Sequence, residues 1–269
     1  MKEKIEIIEK WYKELKFPSE YDEQFYELLN DKNNIPTDTF EEHEFLPDIE
    51  NSGKNLIAYL YFAEALKGKY EEKGISYDVL KNTLSDLVIC TDRIYQNYQK
   101  VGITGVDWMK LHFSFKLFRL GRLQFCMEGA SMDIEEKGIA KGDPILDVHI
   151  PRGDGLRIED CYASFEEAEK FFAKYFPEYE YKWLVCHSWM LDKTIRPFLS
   201  PESNILKFQE LFEGVRPVEM DSILHFVFKY GANREELPTY EATSGFAKKV
   251  KEYALSGGKF YNTLGVRPR

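Results

Sequence analysis

The chain has 269 residues, of which 43% are hydrophobic, so it is long enough for one large domain or two ordinary ones with a buried core. Its 36 basic and 46 acidic residues give a formal net charge of -10, which argues against a sequence-independent grip on nucleic-acid phosphates. No run reaches the roughly 18 apolar residues of a membrane span, and the N-terminus lacks the apolar core of a signal peptide. We therefore expect a cytoplasmic protein without nucleic-acid or membrane partners.

The first 118 residues have the apolar spacing of helices. Two examples are residues 55–74 and 76–102, and each ends at glycine, as helices often do. The connection 30–53 contains two prolines and clustered acids, which predicts a loop. We interpret the aromatic residues of this half as core residues, and they include Trp11, Tyr12, Tyr59, Tyr61 and Phe62. The sequence therefore predicts an all-helical N-terminal domain.

After residue 118 the periodicity changes to short β-branched and aromatic runs. The predicted strands are 120–128, 144–151, 181–191 and 222–230. Helical patterns separate the later strands, and a short strand follows the last helix, 244–255. We therefore predict a helical domain at 1–118, followed by an α+β or α/β domain at 119–269 that has a mixed sheet and flanking helices.

Capping signals define two of these helices. Ser164 and Glu167 form a capping box at the start of one predicted helix. The next predicted helix begins at Ser203 and runs to Gly214. The amide of Asn204, beside that cap, can bond to an amide of a ligand, although an ordinary capping role is the alternative.

The four cysteines stand singly in apolar runs, with no CxxC pair. They are Cys90, Cys126, Cys161 and Cys186. With no sign of an oxidising compartment, we predict four buried free thiols.

The stretch "HIPRGDGL" follows the predicted strand 144–151. Gly153 and Gly155 permit positive φ or close backbone approach, and Arg152 can pair with an anion. Successive backbone N–H groups in such a turn can form an anion nest. The alternative is a solvated turn that carries an unrelated arginine.

Three histidines fall in predicted strands. His149 and His187 would lie near the same strand ends if their strands pair, where open α/β sheets bind ligands. With His225 they could form a zinc site, but this would require three side chains on one face and an open fourth position. Hydrogen-bonded core histidines are the other alternative.

Together these stretches resemble the GNAT-type acyl-CoA N-acyltransferases, specifically a bacterial two-domain branch with a helical N-terminal domain. The motifs are "RLGRLQF" (119–125), "HIPRGDGL" (149–156), "SFEEAEKFF" (164–172), "CHSWML" (186–191) and "LSPESNILKF" (199–208). The resemblance implies a GNAT-like C-terminal domain with a mixed sheet, and it is only architectural in the N-terminal half.

The resemblance also implies a binding site for acetyl-CoA or another acyl-CoA, without a metal. In that family a central strand pairs with the pantetheine amides, and the N–H groups of the following loop bind the pyrophosphate. Here the strand would be 145–151 and the loop 152–156. The implied cofactor-binding residues are His149, Ile150, Arg152, Gly153, Asp154, Gly155, Leu156 and Asn204.

Two features depart from the family pattern. Residues 156–163 separate Gly155 from the predicted cap at Ser164, whereas the usual loop continues directly into a helix. The tyrosine that many relatives use as general acid falls at Leu211 or Phe212. Water or another residue, such as Tyr230, would then protonate the leaving thiolate.

The expected reaction is direct transfer of an acyl group, acetyl by preference, to a small-molecule or peptide amine. We assign His187 as base or water-positioning residue, because an imidazole has an ordinary pKa of about 6.5, and His149 as the second catalytic residue. Backbone N–H groups at 149–151 would polarise the carbonyl. The acidic composition hints at a cationic amine, and a homodimer is possible. The alternatives are a GNAT-like module that binds CoA without turnover and, third, a metal hydrolase.

Overall fold

Helices dominate the first half of the chain and strands are concentrated in the second. The computed structural model describes residues 1–153 and 155–269, which fall into two units, Met1–Leu120 and Gly121–Arg269. The helices are α1 Lys2–Glu14, α2 Asp22–Asn30, α3 Ser52–Lys73, α4 Tyr77–Leu84, α5 Asp86–Tyr98, α6 Val106–Phe113, α7 Ile158–Tyr175, α8 Asn204–Gln209, α9 Ser222–Val227 and α10 Gly245–Leu255. The strands are β1 Leu117–Leu120, β2 Leu123–Gly129, β3 Pro144–His149, β4 Trp183–Ser188, β5 Glu213–Glu219 and β6 Tyr261–Pro268. The predicted domain boundary at residue 118 stays a prediction beside this division at Leu120.

Helix α3 forms the centre of the first unit. It is buried on nearly all sides because apolar residues occupy consecutive positions, from Leu56 to Leu60, and leave no continuous polar face. The amide of Asn55 is also buried, and it donates to the carbonyl oxygens of Leu46 and Ile103 at 2.7 and 2.8 Å. The predicted aromatic core is confirmed, since Trp11, Tyr12, Tyr59 and Phe62 are buried and Tyr61 is half-buried.

The second unit is built on a mixed sheet. Its strands lie in the order β2-β3-β4-β6-β5, and β3 and β4 are its parallel pair, while the other neighbours are antiparallel. Helix α7 makes the crossover between the parallel strands and packs on one face, where Phe165 contacts Phe125 of β2 edge to face. The predicted helical domain followed by a mixed sheet with flanking helices is confirmed.

The other face of the sheet is apolar over most of its area. Residues 130–142, which connect β2 to β3 and are called the cover segment here, pack on it. Their shared cluster contains Ala130, Ile134, Ile139, Ile145, Val185, Leu264 and Val266, each at most 8% exposed. The cover segment is also tied to β5 by an ion pair of 2.6 Å between Lys137 and Glu213.

A smaller helical cluster follows β5. Helices α9 and α10 pack around buried apolar residues that include Ile195, Ile223 and Phe260. The four cysteines are buried and free, as predicted. Within residues 1–153 and 155–269, no helix combines the length and the apolar character that crossing a bilayer requires.

The prediction that a helix begins at Ser164 is wrong. Helix α7 begins at Ile158, and Ser164 is fully buried within it. Its hydroxyl donates to the carbonyl of Asp160 and accepts from the backbone N–H of Arg122 and of Leu123, at 2.8 and 3.3 Å. The serine therefore satisfies a β-turn that packs on the helix instead of capping the helix.

Two further predictions need correction. The apolar run 222–230 is not a strand but contains α9, because short apolar runs are equally compatible with a buried helix. The helix that begins beside Ser203 stops at Gln209, and Gly214 lies in strand β5. That strand was missed because Pro217 weakens its pattern, but proline is tolerated on an edge strand.

Candidate functional site

The parallel strands β3 and β4 separate near their carboxyl ends. Their pairing runs from Ile145 opposite Trp183 to Asp147 opposite Val185 and then stops. Both strands continue, but each pairs only with its outer neighbour, β3 as far as His149 and β4 as far as Ser188. Within the described residues, a gap therefore separates the ends of β3 and β4. The backbone groups that face this gap do not pair with each other. An extended ligand that carries amides can bond there.

The loop after β3 has the conformation that its glycines permit. Gly153 and Gly155 have φ of 155° and 54°, and a Cβ atom built on either would meet nothing within 4 Å. Arg152 is exposed, whereas Leu156 is buried and anchors the far end of the loop. The loop therefore presents backbone and a cation to solvent.

The side chain of Arg122 bonds to backbone carbonyls at both ends of this loop. Its Nε donates to the carbonyl of Gly155 at 2.6 Å, and its Nη1 donates to the carbonyl of Pro151 at 2.8 Å. These carbonyl oxygens would repel an anion bound at the loop, but here they accept hydrogen bonds from the guanidinium. The sequence did not identify Arg122, because no spacing rule relates it to a loop about 30 residues later.

Helix α7 begins directly after the loop. Its N-cap residue is Arg157, whose side chain makes no capping bond, and the first turn of this 18-residue helix is the end that follows the loop. Arg157 also forms a bidentate pair with Asp160, at 2.8 Å for both bonds, and this pair lowers the pKa of that carboxyl. The predicted separation of loop and helix is therefore wrong, and the loop leads straight into a helix N-terminus suited to an anion.

The two predicted catalytic histidines are on the same face of the sheet. Asp147 lies opposite Val185 in the parallel register, and His149 and His187 each follow two residues later. His187 is exposed, and the His149 side chain is 27% exposed, with its Nε2 3.5 Å from Oδ2 of Asp147. We call this polar surface at the strand ends the histidine face.

Two carboxylates, Asp147 and Glu128, lie on the same face of the sheet as these imidazoles. Burial raises the pKa of Asp147, and Glu128 raises it further, while His149 and His187 act in the opposite direction. Glu128 is on the adjacent strand β2, where its Oε1 lies 3.5 Å from the thiol of Cys126. The alternation of Asp147 and His149 in a strand could have identified Asp147 from the sequence, since it places both side chains on one face.

The remaining predicted site residues have separate positions. Asn204 is the first residue of α8, and Ser203 makes the capping bond, to the N–H of Ile205 at 3.3 Å, so the amide of Asn204 is not needed for that role. Ile150 is half-buried at the start of the loop. Asp154, also predicted to bind the cofactor, lies outside the described residues.

His225 is not part of the histidine face. It belongs to helix α9, and its Nδ1 accepts from the N–H of Gly231 at 3.0 Å. The zinc hypothesis, which required three strand histidines, is therefore wrong in its premise. Among residues 1–153 and 155–269, no cluster of three or more histidine, cysteine or acidic side chains has the arrangement of a metal site.

Water and Tyr230 were the predicted proton sources for the thiolate, because no tyrosine occupies the family position. Leu211 and Phe212, where the family tyrosine would fall, are buried between α8 and β5. Tyr230 packs edge-on against His225, with ring centroids 4.2 Å apart.

Two family models match the chain and together cover nearly all of it. The N-acyltransferase N-terminal domain matches residues 2–115, and the GNAT-like C-terminal domain matches residues 117–267. No curated protein matches the chain.

Solved acyltransferase structures have the same fold. One, in complex with decanoyl-CoA, is 27% identical over 79% of this chain, with a TM-score of 0.69, and the match spans 65% of that protein, just under two thirds. A variant acyltransferase in complex with octanoyl-CoA is 22% identical, with a TM-score of 0.80 over 98% of this chain and 88% of that one. An acyltransferase in complex with decanoyl-CoA and teicoplanin is 22% identical, with a TM-score of 0.71 over 99% and 85% of the two chains. The chain belongs to the acyltransferase family in which an N-acyltransferase N-terminal domain precedes a GNAT-like C-terminal domain.

Proposed function

We propose that this protein transfers an acyl group from acyl-CoA directly to an amine. The observation that carries the proposal is the gap between β3 and β4, which opens beside a glycine loop whose carbonyls are held by Arg122. Strand backbone, loop N–H groups and a helix N-terminus then follow one another in the order that pantetheine and pyrophosphate require.

Each part of the acyl-CoA has a partner in this arrangement. Unpaired backbone groups at the end of β3, near His149, bond the pantetheine amides. The N–H groups of the loop and of the first turn of α7 bind the pyrophosphate, and Arg152 supplies a nearby positive charge. Asn204 is assigned to a pantetheine amide on the strength of the family resemblance, and α8 packs beside α7.

The reaction requires that an amine lose a proton before it attacks. His187, exposed at the end of β4, accepts this proton. The C–N bond then forms, the thioester C–S bond breaks, and the remaining extra proton of the attacking nitrogen passes through water to the thiolate, because Leu211 and Phe212 have no hydroxyl group. Backbone N–H groups of His149 and Ile150 polarise the carbonyl, since Pro151 has no N–H to offer.

The histidine face favours a cationic acceptor and a short acyl group. Asp147 places a carboxylate beside His149, and its negative charge, with that of Glu128 further along the same face, attracts an ammonium group. Leu264, opposite His187 in the register, is 8% exposed and is packed with Val185 beneath the cover segment. Because this apolar cluster is already filled, we propose that acetyl-CoA is preferred over the longer acyl-CoAs bound by the related structures.

Calorimetric titration of acetyl-CoA and desulfo-CoA tests the binding site. The Gly153→Trp, Gly155→Trp double variant blocks the loop and is expected to lose binding. A matched control is Gly138→Trp, Gly257→Trp, which replaces two other positive-φ glycines that have open space around them. Circular dichroism checks that both variants fold. Binding lost only in the loop variant supports the proposal, and a wild type that binds neither ligand overturns it.

Turnover is measured separately as the release of CoA thiol. A panel of amines is combined with acetyl-, octanoyl- and decanoyl-CoA, and faster release with acetyl-CoA is expected. Tight CoA binding without transfer to any amine would instead support the non-catalytic module considered from the sequence.

A further inference from the structure

One carboxylate on the histidine face lies beside a predicted catalytic histidine, and the mechanism above uses it only as a negative charge. Asp147 lies in the central strand β3, at the last pair before β3 and β4 separate. Its Oδ2 is 3.5 Å from Nε2 of His149, and its side chain is 30% exposed. It is therefore next to the histidines and close to the point where the thioester would lie.

Packing does not explain an acid at this position. Ile145, two residues earlier on the same face, and Val185, the strand partner of Asp147, both belong to the apolar cluster beneath the cover segment. A carboxylate beside them loses hydration, and a valine or threonine would suit the strand better. The two imidazoles at the open end of the strands offset this loss of hydration by their favourable interaction with the carboxylate.

We propose that Asp147 is a positioning residue of the acyl-transfer site, whose carboxylate orients His149 and stabilises the imidazolium formed when the amine gives up its proton. This inference rests on the proposed function. The proton moves from the amine nitrogen to an imidazole nitrogen of the histidine face, and Asp147 stays ionised throughout. The imidazolium later returns the proton to water, so Asp147 undergoes no net change.

The other titratable and charged groups around Asp147 set the background for this role. Cys126 and Glu128 face it from β2, and His187 faces it from β4. The buried thiol of Cys186 lies on the opposite side of β4, and its pKa is raised well above the ordinary value by burial. The cover segment contributes Lys137, which is paired with Glu213.

Glu128 is the natural control for Asp147. It is also a carboxylate on the histidine face, but it lies opposite Ile145, one step further from the strand ends, and its contact is with Cys126. If negative charge on this face were all that mattered, the two carboxylates would act alike. A direct pairing with His149 predicts that Asp147 has the larger effect.

Histidine NMR tests the pairing without requiring an acceptor. The full chain, labelled with ¹³C and ¹⁵N in its five histidines, is titrated with pH as wild type, Asp147→Asn, Asp147→Glu and Glu128→Gln. Loss of the negative charge in Asp147→Asn should lower the titration midpoint of His149 by about one pH unit. Asp147→Glu, which keeps the charge, should largely restore the midpoint, and Glu128→Gln should change it less. Unchanged resonances of His43, His112 and His225 report intact folding.

The pH dependence of kcat/KM tests the role in acyl transfer. A base must be deprotonated to act, so the acid limb should move to lower pH in Asp147→Asn, because the negative charge that stabilises the imidazolium is lost, while the plateau falls. A merely structural role would lower the rate at every pH without moving the limb.

Three results overturn the inference. These are an unchanged His149 midpoint in Asp147→Asn, an equal effect of Glu128→Gln, and a shifted midpoint with an unmoved acid limb. Failure of the proposed function gives a different result, because a wild type that transfers no acyl group would still show the NMR shift.

Discussion

The two parallel strands of the second unit are followed by connections whose backbone groups bond to different partners. The connection after β3, residues 150–157, is short, and its carbonyls are held by Arg122 while α7 begins without a side-chain cap. The connection after β4, residues 189–203, is about twice as long and consists largely of two 3-10 turns, Trp189–Leu191 and Lys193–Phe198.

Side chains within the second connection satisfy its own N–H groups. Ser188 accepts from the N–H of Met190, and Ser203 accepts from the N–H of Ile205. Asp192, only 2% exposed, accepts from the N–H and hydroxyl of Thr194 at 2.8 Å and from the N–H of Tyr261 at 2.9 Å.

This difference distinguishes a connection whose contacts are structural from the connection that we propose binds the acyl-CoA. Where acids and hydroxyls of the chain occupy the N–H groups, an anionic ligand finds no donors. In the first connection Arg122 binds two carbonyl oxygens, and the proposed function assigns the N–H groups of the loop to the pyrophosphate. Substitutions in the second connection should therefore affect stability, and those in the first should affect acyl-CoA binding.

The largest effect is expected from Asp192→Ala. It leaves three donors without a charged acceptor in a buried site, and the free energy of unfolding should fall by about 3–4 kcal/mol. Urea denaturation measures this loss, and Asp192→Asn should lose less because its amide oxygen still accepts. Acetyl-CoA affinity of the folded fraction should stay unchanged. A weakened affinity would mean that the second connection also contributes to the ligand site.

Next in size is His187→Ala, at the point where β4 ends and the second connection begins. Removing the proposed base should lower kcat by about 10²-fold, or roughly 2.7 kcal/mol, without weakening acetyl-CoA binding. His225→Ala is the control, because that histidine lies on α9 and should leave kcat unaltered. Unchanged turnover in His187→Ala would remove this residue from the mechanism.

Arg122→Met should produce a smaller effect, on binding alone. Without the guanidinium the loop carbonyls can turn toward the ligand, and acetyl-CoA affinity should fall by about tenfold, which is roughly 1.4 kcal/mol by calorimetry. Arg196→Met is the matched control, since Arg196 holds the second connection through Gln209 and Glu210 at 2.7 and 2.6 Å. Equal losses of affinity in the two variants would contradict the distinction between the connections.

Local signals in the sequence predicted most of the fold but only part of the site. The helical half, strands β2, β3, β4 and β6, and the Ser203 cap follow from periodicity and capping chemistry. The start of α7 was missed because Ser164, a polar residue in a buried stripe, imitates a cap. Helix α9 was mistaken for a strand because six residues are too few to establish a period.

The glycine loop, His149 and His187 could be proposed from the sequence because each is adjacent in sequence to the strand end it occupies. Arg122 and the pairing of Asp147 with His149 were missed for different reasons. The first depends on a contact between residues 122 and 155, which only the folded sheet brings together. The second was present in the alternation of a single strand, but polar residues there have no meaning until the neighbouring strand is known.

The smallest effect is expected from Ser203→Ala, which removes one capping side chain from the connection after β4. The hydroxyl accepts from the N–H of Ile205 at the start of a six-residue helix, so its loss should lower the free energy of unfolding by about 0.5–1 kcal/mol. Ser203→Asp, which restores a capping acceptor, should recover most of this loss in urea denaturation. Acetyl-CoA affinity should not change in either variant, because the freed N–H group stays next to Asn204 and not in the glycine loop. If Ser203→Ala instead strengthens acetyl-CoA binding, the second connection has donors that a ligand can use, and capping has been competing with the ligand at this end of the sheet.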